Sequence, residues 1–106
     1  MKALIVYLVA VTGLMIAGGA MVADMPELAK KSGCAACHSI DKKLVGPAWQ
    51  AVADKYKGDA GAAAKLSTKI VKGGGGVWGP VPMPAQPKLS EADTKELVGF
   101  ILGLAK

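Results

Sequence analysis

The sequence predicts an all-α fold of about four short helices. Apolar residues recur at three- and four-residue spacing in four segments, and most of these segments begin or end at residues typical of helix termini. No segment alternates apolar and polar residues with the period of two that a half-buried strand shows. The chain has 106 residues, and we find neither an internal repeat nor a boundary between two folded domains.

Residues 1–23 have the pattern of a secretory signal peptide, in which Lys2 precedes an apolar run and small residues end it. We expect cleavage after Ala23, which leaves residues 24–106 as one domain; cleavage after Ala20 is the alternative. The apolar stretch is also just long enough for an uncleaved membrane anchor, which needs about 20 residues.

The first two predicted helices flank the most distinctive motif of the chain. Asp24 is the expected N-cap of the first helix, with Pro26 in its first turn, and Gly33 ends it. The second helix begins near Trp49 and continues at helical spacing until Gly58.

The third predicted helix covers residues 62–72, with Ala63, Leu66 and Ile70 on its inner face. In the fourth predicted helix, Ser90 is the expected N-cap, and an acidic residue follows it three positions later, as in a capping box. Its broad apolar face comprises five residues: Leu97, Val98, Ile101, Leu102 and Leu104.

The segment 73–84 between the last two helices is rich in glycine and proline and is predicted to be a loop. It contains a GxGxxG match, but a dinucleotide site needs a strand before this pattern and a helix within it, and the prolines prevent the helix. Such glycines instead allow backbone to approach a flat ligand closely, and the prolines favour an extended course.

The motif Cys34-Ala35-Ala36-Cys37-His38 has the spacing that attaches c-type haem. Each thiol can add across one vinyl group of the porphyrin, and the adjacent imidazole can then bind the iron. A thioredoxin-like pair would need a βαβ context, and a zinc site would need four ligands where the chain has two cysteines and one histidine. A plain structural disulfide is the remaining alternative, and it would leave His38 without a role.

Met83 is the predicted second iron ligand. After the signal peptide the chain has only two methionines, and Met25 lies just before the attachment motif, where packing is its expected role. Met83 lies in the proline-rich loop, which could cross the other face of the haem. Ligation by histidine and methionine raises the reduction potential.

These segments, together with Val45-Gly46-Pro47-Ala48 and the run from Gly76 to Pro84, resemble class I cytochromes c of the small bacterial c-551/c-552 type. The resemblance covers residues 24–106. It implies about four short helices wrapped around one covalently attached haem c. The implied function is transfer of single electrons between respiratory redox partners in the periplasm, without enzymatic activity.

The resemblance also implies roles for single residues. Those at the haem itself are the thioether-forming Cys34 and Cys37 and the axial ligands His38 and Met83. The carbonyl of Pro47 would accept the ring N–H of the histidine. Trp78 would donate to a haem propionate, and Lys69 would place a cation near the same groups.

All 13 basic residues are lysines, set against 8 acidic residues, for a formal net charge of +5. A nucleic-acid partner is not expected for an exported chain without arginine and with few aromatic residues. We expect a monomer that docks on acidic patches of redox proteins, such as a terminal oxidase or a nitrite reductase, without inserting into the membrane after signal cleavage. The candidate docking lysines are Lys42, Lys43, Lys65, Lys69 and Lys72, although such residues can also be a merely solvated surface.

Two other functions remain open from the sequence. A peroxidase-like enzyme or gas sensor would have Met83 displaced from the iron, and a membrane-tethered carrier would keep residues 1–23. The electron carrier is favoured because the only histidine is already used as a ligand.

Overall fold

The computed structural model describes residues 24–106 and confirms the all-α class. Its helices are α1 (Glu27–Lys31), α2 (Trp49–Lys55), α3 (Ala62–Lys72) and α4 (Glu91–Leu102), with a 3₁₀ turn at Cys34–Ala36. The described residues form isolated β-bridges but no strand. None of the helices within 24–106 is long and apolar enough to cross a bilayer. The predicted signal peptide lies outside the described residues.

Helix α1 begins later than predicted, because Pro26 rather than Asp24 is its N-cap. The Pro26 carbonyl accepts hydrogen bonds from the N–H groups of Ala29 and Lys30, at 3.0 and 3.2 Å. The residue before a proline avoids the helical region of backbone space. A helix that included Met25 would therefore be disfavoured, and Asp24 lies too early in the chain to cap this one.

Helix α3 has the predicted bounds, but Ala62 rather than Ala63 lies on its inner face. The buried positions 62, 66 and 70 follow one another in steps of four, so they form a single stripe along the helix. Ala63 is rotated by about 100° from that stripe and is exposed.

Helix α4 begins as predicted at the Ser90 cap, whose hydroxyl oxygen accepts the Asp93 N–H at 3.0 Å. It is the central element of the fold, since it packs against α1, α2 and α3. The core residues come from all four helices: Ala29, Trp49, Val52, Leu66, Ile70, Leu97, Val98 and Ile101. Leu104, predicted on the helix face, lies beyond the last helical residue but still packs against this core.

The C-terminal tail is bound to α2 by hydrogen bonds. Asp54 Oδ1 accepts the Lys106 N–H at 3.1 Å, and Gln50 Nε2 donates to the Leu104 carbonyl. The Lys57 ammonium donates to the Lys106 carbonyl. Together with the buried Trp49, these bonds hold α2 in a fixed position beside α4.

We expect Ser90→Ala to lower the free energy of unfolding by about 1 kcal/mol, because the first turn of α4 loses its only side-chain cap. In a domain of this size the melting temperature should fall by about 4–8 °C. Thermal unfolding followed by circular dichroism measures this, with Ser90→Asp as a control that keeps a capping oxygen. Equal melting of Ser90→Ala and the original protein would contradict the cap.

Candidate functional site

An apolar cleft is enclosed by the segment 34–47, the loop 74–84 and the core side chains of α2, α3 and α4. The space between its walls, including the open mouth, is about 950 Å³. Besides the cysteines, the only titratable side chains among its lining residues are His38 and Lys69. The predicted site residues that line it are Cys34, Cys37, His38, Pro47, Lys69, Trp78 and Met83.

A tight turn brings both cysteines and the histidine to this cleft. The Cys34 carbonyl accepts hydrogen bonds from the Cys37 N–H at 3.1 Å and from the His38 N–H at 2.8 Å. Gly33 enters the turn at φ +80°, a conformation that side-chain-bearing residues rarely adopt. The motif is therefore compact because the backbone closes on itself at Cys34.

The two thiols are half-buried and are not joined in a disulfide. Burial raises the pKa of the Cys34 thiol above its ordinary value. The attacking cysteine of a thioredoxin-like pair has a lowered pKa instead. The pair also lies between helices in the described chain, without the βαβ context of that class.

A hydrogen bond from His38 determines which of its ring nitrogens can bind a metal ion. Nδ1 lies 2.8 Å from the Pro47 carbonyl oxygen. A carbonyl only accepts, so Nδ1 carries the proton and donates it. In the neutral ring, Nε2 then holds the unshared electron pair that a metal ligand needs.

Close packing also holds the imidazole ring. A Cβ placed on Gly46 would lie 2.6 Å from His38 Cε1, so only glycine fits beside the ring. On α2, Trp49 lies with its ring centroid 5.9 Å from that of His38 and 5.9 Å from that of Phe100. The histidine is therefore connected through an aromatic chain to the core.

Met83 is held against the end of α3 by its backbone. Its N–H donates to the Gly74 carbonyl at 2.9 Å, and its carbonyl accepts the Gly74 N–H at 3.0 Å. Gly73, at φ +70°, has no room for a side chain because a Cβ there would clash with the Met83 carbonyl oxygen. The backbone of Met83 is therefore fixed in position relative to the end of α3.

The structure separates the two candidate methionines. Both are half-buried and pack against the core, but only Met83 lines the cleft. Met25 lies just before α1 and is not itself a lining residue. A thioether is thus present in the same cleft as the imidazole.

Trp78 and Lys69 both line the cleft, together with residues that no sequence motif marks. The Lys55 ammonium lies 5.6 Å from the centroid of the Trp78 ring. No sequence pattern links positions 55 and 78, because only tertiary packing brings them together. The exposed apolar residues Val45, Val77 and Val81 also line the cleft. The one feature of the sequence that could have indicated them is that they are valines in segments predicted to be loops.

These residues fit a covalently attached haem. Two thiols on one turn, an Nε2 lone pair and a thioether share a cleft with apolar walls that suit a porphyrin. Within residues 24–106, no group of three or more His, Cys, Asp or Glu side chains lies close enough to hold a metal ion. The donor set present in the cleft is therefore that of a haem site and not that of a zinc site.

Comparison with known proteins gives one consistent result. The sequence profile described as "Cytochrome c" matches residues 22–105. The chain is 50% identical over 95 residues to the cytochrome c-551 of Allochromatium vinosum, covering 90% of this chain and 99% of that protein. It is 46% identical over 95 residues to the cytochrome c-552 of Nitrosomonas europaea, covering 90% of each.

Solved structures agree with the sequence comparison. The crystal structure of wild-type Nitrosomonas europaea cytochrome c552 superposes with a TM-score of 0.70 at 48% identity. That match covers 73% of this chain and 95% of the other. The crystal structure of the class 1 cytochrome MtoD from Sideroxydans lithotrophicus ES-1 has a TM-score of 0.63 at 34% identity, covering 73% of this chain and 88% of the other.

We expect Gly46→Ala to lower the free energy of unfolding by about 1–3 kcal/mol, because the added methyl group overlaps the His38 ring. The matched control is Gly99→Ala on α4, where a Cβ meets nothing within 4 Å. That change should stabilise the protein by about 0.5–1 kcal/mol, since alanine favours a helix interior. Chemical denaturation of both variants provides the measurement, and two equal free energies would contradict the packing of His38 on Gly46.

Proposed function

The chain belongs to the cytochrome c family, whose members bind one covalently attached haem c and carry electrons without being enzymes, and we propose that it is a periplasmic monohaem carrier using His38 and Met83 as iron ligands. The main support is the cleft, which gathers both thiols, the imidazole and the thioether among apolar side chains. Cys34 and Cys37 are the proposed sites of haem attachment.

When bound, the haem iron supplies a centre that gains or loses one electron. The protein residues orient that centre and shield it. The Pro47 carbonyl holds the His38 proton on Nδ1, so the imidazole presents Nε2 in a constant orientation. As an iron ligand, the Met83 thioether would favour the ferrous state and raise the reduction potential. Trp78 and Lys69 are the proposed partners of the propionates.

The composition of the cleft supports a carrier over a peroxidase-like enzyme. Peroxide cleavage would use an acid–base group beside the iron. The lining residues in the described chain include no carboxylate, and the single histidine is the proposed ligand. Two backbone hydrogen bonds between Met83 and Gly74 also fix the backbone from which the thioether side chain extends. If His38 and Met83 both held the iron, the site would favour electron transfer over binding of small ligands.

An exposed apolar rim at the cleft is the proposed docking surface for redox partners. It consists of Val45, Val77 and Val81, which are 58%, 50% and 60% exposed and all line the cleft. A contiguous exposed apolar patch is a common mark of a surface that meets another protein. Close approach at this rim would bring the partner beside the cleft proposed to hold the haem.

Lysines near this rim can steer the approach of acidic partners. Lys65 is paired with Asp59 at 2.7 Å, and its hydrogen bond lowers the pKa of that carboxyl group. The positive charge of Lys65 is therefore partly neutralised by Asp59. Lys72, the last residue of α3, precedes the glycine that contacts Met83. We propose Lys72 as a steering residue, with Lys69 shared between steering and the propionates.

Export of the chain is part of the proposal. Residues 1–23 carry the pattern of a signal peptide, and c-type haem attachment with an even cysteine count fits an extracytoplasmic site. We propose cleavage after Ala23, with Ala20 as the alternative. The intact mass of the exported protein distinguishes both from a retained anchor.

We expect the exported protein to show a low-spin c-type optical spectrum, with a weak sulfur-to-iron band when oxidised and no change with carbon monoxide when reduced. Met83→Ala should lose that band, bind carbon monoxide and have a lower reduction potential, because the thioether is removed.

The control for this experiment is Met25→Ala, which removes a thioether that packs against the core but does not line the cleft. It should keep the spectrum and the reduction potential. An unchanged spectrum in Met83→Ala would exclude Met83 as a ligand. Rapid carbon monoxide binding by the original protein would contradict the closed site and favour an enzyme or a sensor.

We expect Lys72→Glu to slow electron transfer to an acidic redox protein and to weaken the dependence of the rate on ionic strength. Stopped-flow kinetics at several salt concentrations measures both effects. Lys95→Glu, on the exposed part of α4 and outside the cleft lining, makes the same charge change elsewhere. Equal rates and equal salt dependence in the two variants would exclude Lys72 as a steering residue.

A further inference from the structure

Helix α2 contacts two separate parts of the cleft wall. Its first residue, Trp49, lies with its ring centroid 5.9 Å from that of His38. Its last residue, Lys55, places its ammonium 5.6 Å from the centroid of the Trp78 ring. One short helix therefore connects the histidine side of the site to the glycine-rich loop.

The contacts that the protein itself makes bury the Trp78 ring only in part. The side chain is 42% exposed. The glycines on either side of it, Gly76 and Gly79, have φ values of +97° and +117°, and a Cβ on either would meet nothing within 4 Å. A single hydrogen bond, from the Gly76 N–H to the Gly79 carbonyl at 3.0 Å, closes this part of the loop.

Lys55 offers the attachment that the loop lacks. Its backbone belongs to a helix whose Val52 and Ala53 are buried in the core. A cation in the last turn of a helix is favoured by the helix dipole. An ammonium within about 6 Å of an indole centroid is attracted to the face of the ring. The Lys55–Trp78 contact thus joins a fixed element to an open loop.

The surroundings of Trp78 leave the ring face as the favourable partner for this ammonium. The groove beside the ring is lined by Tyr56, Lys65 and Lys69 and includes no carboxylate among its described lining residues. The nearby carboxylate of Asp59 accepts a hydrogen bond from Lys65.

We propose that Lys55 is a positioning residue for Trp78: its ammonium holds the indole against the cleft wall and thereby sets the direction of the indole N–H. The inference rests on the proposed function in one respect, since that function directs the N–H at a haem propionate. Lys55 is not among the residues that line the cleft, so its proposed action is through the indole.

The test is nuclear magnetic resonance of the reduced, haem-loaded protein, in which the Trp78 indole N–H shift, its hydrogen exchange and its contacts with residue 55 are measured. Lys55→Met keeps most of the aliphatic stem and removes the charge, whereas Lys55→Arg keeps a cation that also stacks on indole. Lys95→Met removes a charge away from the cleft. Trp49 is the internal reference.

We expect Lys55→Met to shift the Trp78 resonances and to speed exchange of its indole N–H about two- to fivefold, the range of an exposed cation–π contact. Lys55→Arg and Lys95→Met should match the original protein, and Trp49 should be unchanged in every variant. A Lys55→Met variant with the original Trp78 shift and exchange rate would overturn the proposal. So would equal changes at Trp49 and Trp78, which indicate a general loss of structure.

Failure of the proposed function has a different signature. Absence of a c-type optical spectrum contradicts haem attachment, and fast exchange of the Trp78 N–H in the original protein contradicts its bond to a propionate. In the second case the ring shifts and the contacts between residue 55 and Trp78 still decide whether Lys55 positions the indole.

Discussion

The hydrogen bond from His38 Nδ1 to the Pro47 carbonyl is the interaction on which the site depends. It spans nine residues and closes the segment that follows the cysteine turn. It also determines the tautomer, so that Nε2 is the nitrogen presented to a metal ion. Gly46 makes the bond sterically feasible because any side chain there would overlap the ring. Three constraints therefore act on one imidazole: the hydrogen bond to Pro47, the tautomer that this bond selects, and the space that Gly46 leaves for the ring.

The core and the cofactor site of this protein share the same side chains. Trp49, Leu66, Ile70, Leu97 and Ile101 belong to the buried core and also line the cleft. A domain of this size buries a limited apolar area and commonly needs a covalent or metal staple. A covalently attached haem would complete the core by covering these side chains. Stability and electron transfer consequently depend on the same contacts, and changes that loosen the cleft should affect both.

Much of the fold was predictable because its signals are local. The bounds of α3 and the Ser90 cap of α4 follow from residues within a few positions of each helix end. The errors were also local in origin. Asp24 failed as a cap because the proline two residues later disfavours helix at Met25. Ala63 was assigned to the inner face because the spacing of Leu66 and Ile70 alone does not distinguish a stripe through 62 from one through 63.

The sequence by itself determined the attachment motif, the candidate ligands and the helical class, since each depends on residues that are neighbours in the chain. Tertiary structure decided which methionine lines the cleft, because Met25 and Met83 are both compatible with packing until α3 and Gly74 place the loop. It also decided that Lys55 meets Trp78 and that three exposed loop valines line the same cleft. These contacts join residues from separate segments, and local propensity carries no information about such distant pairs.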